Sequence, residues 1–300
     1  VSGPIIVVGS LNADLQLAVD ALPAPGETAL ATRVENRPGG KGANQASAVA
    51  LCGGECWMVG AVGDDEDGRL LVTALREAGV RTDAVAVLPE VRSGRAVVMV
   101  APTGENAIVV LPGANSELTA SDVRRLVAGL PPAEVLLAQG ELPVPCIVAA
   151  AEVAAATGAR FVLNLAPYVE LPLEVLAACD PLVVNEHEAA ALGVQLAGQP
   201  LEDEPLLDVL VQHTRSVVIT LGGAGAVYGS ATERGSVPAP RVPVVDTSGA
   251  GDAFVGAAAV ELSRSGGLAA ACRAGVAAGS LAVQHRGARM PRVDDSVRMA

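Results

Sequence analysis

Short runs of β-branched and other apolar residues recur along the chain, each followed by a longer alanine-rich stretch. PIIVVGS precedes 40–53, CWMVGAV precedes 66–78, EVLLAQG precedes 146–157, ARFVLNL precedes 172–178 and DPLVVN precedes 186–192. SVVITLG stands before two final alanine-rich segments near 250–264 and 267–284. The short runs are apolar throughout, the pattern of strands covered on both faces, and the longer stretches have helical length. Their alternation predicts an α/β fold of three layers, a mainly parallel sheet with helices on both faces. Two regions break the pattern. LQLAVDALPAPGETALATRVE (15–35) and the paired runs RAVVMVA and NAIVVLP around PTGE (102–105) read as antiparallel strands outside the main sheet. They predict a small antiparallel β lid or interaction surface drawn from about 15–35 and 93–112. No internal repeat, low-complexity tail or long linker divides the chain, so 1–300 reads as a single domain.

Charge narrows the partners. With 20 Lys and Arg against 33 Asp and Glu, the net charge of −13 opposes nucleic acid. Handling an anionic small molecule then requires local positive potential from backbone N–H groups, a few basic side chains or a metal ion. The five cysteines, Cys52, Cys56, Cys146, Cys179 and Cys272, form no CxxC pair and have no histidine at zinc-ligand spacing, so they read as buried reduced thiols. The N-terminal apolar run is interrupted by Asn12 and Asp14 before it reaches signal-peptide length, and Glu152, Arg160 or Glu261 interrupts the alanine-rich stretches. The expectation is a soluble, cytoplasmic protein with no membrane partner.

The glycine-rich loops carry the candidate chemistry. In DTSGAGDAF (246–254), the preceding RVPVVD reads as a strand and the following AFVGAAAVELSRS as a helix. A helix N-terminus offers unpaired N–H groups and positive potential, and Gly249 and Gly251 let that backbone approach an anion closely. Asp252 there is either a capping carboxylate or a proton acceptor for an attacking hydroxyl; the pattern leaves both open. RPGGKGANQASAVA (37–50) also opens a helix but is no Walker A loop, because Glu35 and Gly42 occupy positions that need Gly and Ser/Thr. It is either a solvated turn or a place where Lys41 and Asn44 face a polar ligand. With Asn12 and Asp14 at the end of the first strand, these groups would suit a sugar's hydroxyls. In VVNEHEAAAL (183–192), Asn185 and Glu188 share a helix face and either cap the helix or organise a hydrated Mg²⁺. ITLGGAGAVY (219–228) adds a Thr220 hydroxyl and a glycine turn suited to nucleotide phosphates, although Gly229 comes one residue late for a dinucleotide fingerprint.

Taken together, GGKGANQA, GAVGDDEDG (60–68), NEHEA and DTSGAGDAF resemble the ribokinase-like (PfkB) family of sugar kinases over nearly the whole chain. Within it, SLNAD, GGKGANQA, QGE (139–141), LNLAP (163–167) and TLGGAG are most similar to the ribose-phosphorylating members. The resemblance implies ATP-dependent phosphorylation of D-ribose at its primary 5-hydroxyl. Another sugar or nucleoside kinase of the family and an inactive sugar- or nucleotide-binding regulator stand as alternatives. It implies that Asp252 is the base and that the N–H groups of Gly249, Ala250 and Gly251 stabilise the transferred phosphoryl group. Asn12, Asp14, Gly40, Lys41, Gly42, Asn44 and Glu141 match sugar-binding positions. Asn185, Thr220, Gly222, Gly225 and Gly251 match nucleotide-binding positions, and Glu188 would act on Mg²⁺ indirectly. Asp246, Ser248, Ala282, His285 and Gly287 match a K⁺ site, from which the chain departs at Pro291, where a serine hydroxyl is expected. The lid would close over the sugar and pair two subunits as a homodimer.

Overall fold

A computed structural model describes residues 3–103 and 105–290. From the N-terminus run β1 (Ile5–Val8), β2 (Asn12–Val19), β3 (Ala31–Gly39), α1 (Lys41–Leu51), β4 (Cys56–Gly63), α2 (Glu66–Glu77), β5 (Arg81–Leu88), β6 (Gly94–Val100), β7 (Asn106–Leu111), α3 (Ala114–Glu117), α4 (Ala120–Ala128) and β8 (Val135–Gln139). Then follow α5 (Val144–Thr157), β9 (Arg160–Asn164), α6 (Leu173–Ala178), β10 (Cys179–Asn185), α7 (Glu186–Ala197), α8 (Asp203–His213), β11 (Ser216–Thr220), β12 (Ala226–Ser230), β13 (Arg234–Val237), α9 (Ala250–Ser263) and α10 (Leu268–Ala282).

The main sheet has nine strands in the order β13-β12-β11-β10-β9-β8-β1-β4-β5. It is parallel from β11 to β5, with β12 and β13 added antiparallel at one edge. Burial on both faces explains the apolar-throughout strands. In β1, Ile6 and Val8 enter one hydrophobic cluster, while Ile5 and Val7 enter the other on the opposite face. The three-layer α/β architecture is therefore as the alternation predicts. The chain leaves β1 toward β4 on one side and later places β8 on the other, so the strand order reverses at β1. Open parallel sheets bind ligands at such a point, beyond the carboxyl ends of the strands.

β2, β3, β6 and β7 form the separate four-stranded sheet, in the order β3-β2-β6-β7. Each hairpin, β2–β3 and β6–β7, is antiparallel, and the two meet through a parallel β2–β6 pairing. Asn12 and Asp14 lie at the start of β2, not at the end of the first strand. RVPVVD (241–246) is not a strand either: the Val245 and Asp246 N–H groups both turn to the Val283 carbonyl, at 2.8 and 3.2 Å. Strands β5, β12 and β13 and helices α3, α4 and α8 lie outside the predicted alternation. Cys56, Cys146, Cys179 and Cys272 are buried thiols as expected, whereas Cys52 is only half-buried, and among the described residues no helix is long and apolar enough to cross a membrane.

Candidate active site

A cavity of about 140 Å³ opens at the carboxyl ends of the central strands, lined by Lys41, Asn164, Ala166, Val183, Asn185, Glu188, Thr220, Gly249, Gly251, Asp252 and Val255. Close helix packing builds it. A Cβ on Gly42 would lie 2.6 Å from the Gly9 carbonyl carbon and the Ser10 nitrogen, so the first turn of α1 sits directly on the chain leaving β1. Gly40 precedes this helix at φ 87°, a left-handed conformation that favours glycine. A Cβ on Gly256 would lie 2.5 Å from Ala48 Cβ, so α1 and α9 cross almost backbone to backbone. That crossing carries Asn44 and Gln45 onto Asp252, from which they are far removed in sequence.

Asp252 is buried in the first turn of α9. Asn44 Nδ2 donates to its Oδ2 at 3.0 Å and Gln45 Nε2 to its Oδ1 at 2.9 Å. Burial raises its pKa, partly offset by Lys41 and the two amide donors. At the start of the helix the Ala250 N–H reaches the Thr247 carbonyl at 3.3 Å. Gly249 is left-handed at φ 72°, and a Cβ there would fall 1.9 Å from the Ala288 carbonyl oxygen. By contrast, a Cβ on Gly251 would meet nothing within 4 Å, so the turn presents bare backbone to open space.

Around Lys41 the charges are unbalanced. Burial draws its pKa down, but attraction from Asp252, Glu141, Glu188 and Asp14 prevails and raises it. The Glu141 carboxylate is held by the Ser10 hydroxyl and, at 3.0 Å, by the Lys41 N–H. Asp14 lies over Gly39, where a Cβ would fall 2.0 Å from its Oδ2. Burial, with repulsion from Glu141 and Asp252, pushes the Asp14 pKa up to about 7 against the pull of Arg289 and Lys41. Asn12 Oδ1 accepts from Asn115 Nδ2 at 2.8 Å, while Asn115 also clamps the Leu11 backbone. Asn44 Oδ1 is buried and has no hydrogen-bond partner among the described residues. Of the predicted sugar-side residues, Lys41 lines the cavity, Glu141 is bonded to the Lys41 N–H and Asn44 to Asp252; Asn12, Asp14, Gly40 and Gly42 are not among the lining residues.

On the outer side, Asn185 and Glu188 form a reciprocal capping box, with bonds of 2.8 and 2.9 Å, while both also line the cavity. The cap and cavity positions coexist. Burial raises the Glu188 pKa. The Thr220 hydroxyl donates to the Val184 carbonyl at 3.3 Å. Gly222 has open space where a Cβ would stand, whereas Gly225 abuts β13, with a Cβ position 2.0 Å from the Val237 carbonyl oxygen. Gly225 is required by this turn and does not line the cavity.

The predicted cation residues gather behind the first turn of α9. Asp246 accepts from the Ser248 N–H at 2.9 Å and the Gly287 N–H at 2.8 Å, joining the two segments. Ala282 supplies a carbonyl to the His285 N–H at 3.0 Å, and the exposed His285 ring lies 3.1 Å from the Leu281 carbonyl. Pro291 lies outside the described residues. Ser10, Gln45, Asn115, Gln139 and Arg289 were not among the predicted site residues. Only their polarity within or beside apolar runs signals them in the sequence; their partners come from distant segments.

The chain matches the family described as pfkB family carbohydrate kinase over residues 4–295. It belongs to that family. The kinase is 35% identical over 285 residues to ribokinase of Bacillus subtilis, covering 95% of this chain and 94% of that protein. A bifunctional ribokinase/ribose-5-phosphate isomerase A of Fructilactobacillus sanfranciscensis is 36% identical over 260 residues, 86% of this chain and 48% of the relative; the chain thus spans about half its length. Deoxyribokinase of Salmonella typhi is 32% identical, with 94% and 93% covered. Among solved structures, Arabidopsis thaliana ribokinase complexed with ribose and ATP superposes with a TM-score of 0.84 at 31% identity, covering 96% of this chain and 95% of that one. The protein is an ATP-dependent carbohydrate kinase.

Proposed function

We propose that the kinase transfers the γ-phosphoryl group of ATP to the 5-hydroxyl of D-ribose. The observation carrying this reading is Asn44 Oδ1, a buried acceptor without a partner, on the amide that holds Asp252. Such an orphan is satisfied by a hydroxyl donor. Asn12, Asp14, Gly40, Lys41, Gly42, Asn44 and Glu141 bind the sugar and turn its primary hydroxyl to Asp252, which accepts the proton as oxygen attacks phosphorus. The γ-phosphorus–oxygen bond to the leaving ADP breaks, and the backbone of the turn Gly249, Ala250 and Gly251, open to space at Gly251, stabilises charge on the transferring group. Asn185 and Thr220 line the nucleotide side, and Gly222 and Gly225 shape the turn after β11. Lid closure excludes water, which competes for the phosphoryl group.

Among the described residues, no three His, Cys, Asp or Glu side chains cluster to hold a metal, while Glu188 lines the cavity. This donor set fits Mg²⁺ that keeps its water and meets one carboxylate indirectly; bound, it would neutralise phosphate charge. We assign K⁺ to the loop where the Asp246 carboxylate joins the Ser248 and Gly287 segments; bound there, it would steady the neighbouring helix start. The exposed apolar residues Ile108, Val109, Val110 and Leu111 on β7, with Leu30 and Val34, suit homodimer formation through the lid. We assign the protein to the cytoplasm, where the buried thiols of Cys56, Cys146, Cys179 and Cys272 remain reduced.

The deoxyribokinase match favours 2-deoxyribose as a second reading. Steady-state kinetics on ribose, 2-deoxyribose, fructose and adenosine at saturating ATP and Mg²⁺ test both. Ribose is expected to lead in kcat/KM, with deoxyribose about tenfold to a hundredfold behind if the missing hydroxyl leaves a buried group unpaired. A tenfold or greater lead by another substrate on that panel would overturn ribose as the substrate.

A further inference from the structure

Behind Asp252 a chain of amides runs into the protein. Gln45 Nε2 lies 2.9 Å from both Asp252 Oδ1 and Asn164 Oδ1. Gln45 Oε1 accepts from Gln139 Nε2 at 2.9 Å, and Asn164 Nδ2 donates to the Val183 carbonyl at 3.1 Å. Gln45 and Gln139 are fully buried, on α1 and at the end of β8, and neither lines the cavity. The direction of every bond follows from chemistry. A main-chain carbonyl only accepts, so Asn164 turns its nitrogen to Val183 and its oxygen to Gln45. Gln45 must then send its nitrogen toward Asn164 and Asp252 and its oxygen toward Gln139. Gln139 Oε1 is left buried with no partner among the described residues, a costly arrangement.

We infer that Gln45, oriented by Gln139 and Asn164, is a positioning residue that holds Asp252 Oδ1 in place and favours its proton-accepting form. A protonated Asp252 would need an acceptor, yet Asn44 Nδ2 and Gln45 Nε2 both offer donors. The amides therefore oppose burial, which favours the neutral acid. The other charged groups acting on Asp252 are Lys41 of α1, which favours the carboxylate, and Glu141 after β8 and Asp14 of β2, which disfavour it. The orphaned Gln139 oxygen follows from directing that residue's only donor group at Gln45. The inference rests on Asp252 being the base.

The test compares Gln45→Met, Gln139→Met, the double variant and Asp252→Asn in ribose phosphorylation from pH 5.5 to 9. Methionine keeps the volume and removes the amide. Gln45→Met is expected to lower kcat at neutral pH by about tenfold to a hundredfold, as for loss of a hydrogen bond to a charged group. KM values should change little, and the acid limb of kcat should move about one unit higher, because a carboxylate short of a donor holds its proton more tightly. Gln139→Met should cause a smaller change of the same sign. The double variant should lose no more than Gln45→Met, since Gln139 acts through Gln45.

An unmoved acid limb in Gln45→Met, even with lowered stability, overturns the inference, as do losses that multiply in the double variant. If Gln45→Met does not fold, the acid limb of Gln139→Met decides on the same criterion. An inactive Asp252→Asn beside a Gln45→Met of wild-type profile removes only the positioning role. Near-normal turnover by Asp252→Asn removes the base and the positioning role together.

Discussion

Asp14 should destabilise the sugar-free enzyme at alkaline pH, and Asp14→Asn should make the protein more stable but a poorer kinase. The carboxyl rises from 3.8 to about 7 through burial and the repulsion of Glu141 and Asp252, against the pull of Arg289 and Lys41. In the unfolded chain it ionises near 3.8, so between pH 4 and 7 the folded state holds a proton that the unfolded state has lost. Stability contributed at this position therefore falls as pH rises through that window and levels off above about 8. Three units at ~1.4 kcal/mol each set an upper value of roughly 4 kcal/mol, and residual solvent contact reduces it to about 1–3 kcal/mol. For a domain of this size that is about 2–10 °C in Tm. Calorimetric Tm values of wild type and Asp14→Asn, measured from pH 5 to 9 without sugar, should diverge with rising pH, the variant melting higher. Ribose should raise the wild-type Tm more, because its hydroxyls hydrogen-bond the ionised carboxylate. A variant that melts lower at pH 8, or a gap that does not grow between pH 5 and 8, would refute the reasoning.

Asp252→Asn should lose about 10²–10⁴-fold in kcat, with calorimetric ribose binding retained; retained turnover would remove Asp252 as the base. Gly251→Ala should lose turnover while Tm holds or rises by the equivalent of up to ~1 kcal/mol, because its Cβ enters open space in a helical turn. Gly249→Ala should instead lower Tm by the equivalent of at least ~1 kcal/mol, since its backbone is left-handed and the Ala288 carbonyl oxygen stands 1.9 Å from the Cβ position. Replacing K⁺ by Na⁺ at constant ionic strength should lower kcat, and equal rates in K⁺, Na⁺ and a bulky organic cation would exclude a functional site at the Asp246 loop.

Burial on both faces leaves a local mark, so the parallel sheet and its helical layers could be read from the apolar-throughout runs. A glycine-rich bend that opens a helix also marks itself locally, so Gly249, Gly251, Asp252 and Lys41 stand out in the sequence alone, as do Asn185 and Thr220 at the ends of apolar runs; their shared cavity does not. Edge structure was less legible. β5 has one more exposed face and reads as RTDAVAVL, with polar positions interspersed, while RVPVVD has strand composition but no strand to pair with. The connections between segments required the fold. Alanine-rich composition marks α1 and α9 as helices, and both are buried on nearly every side; only the close crossing at Gly256 places Asn44 and Gln45 against Asp252. The same holds for Asn115 on Asn12, Ser10 on Glu141 and Gln139 on Gln45. An amide or hydroxyl in an apolar run carries its capacity to hydrogen-bond in the sequence, but its partner is set by how distant elements pack.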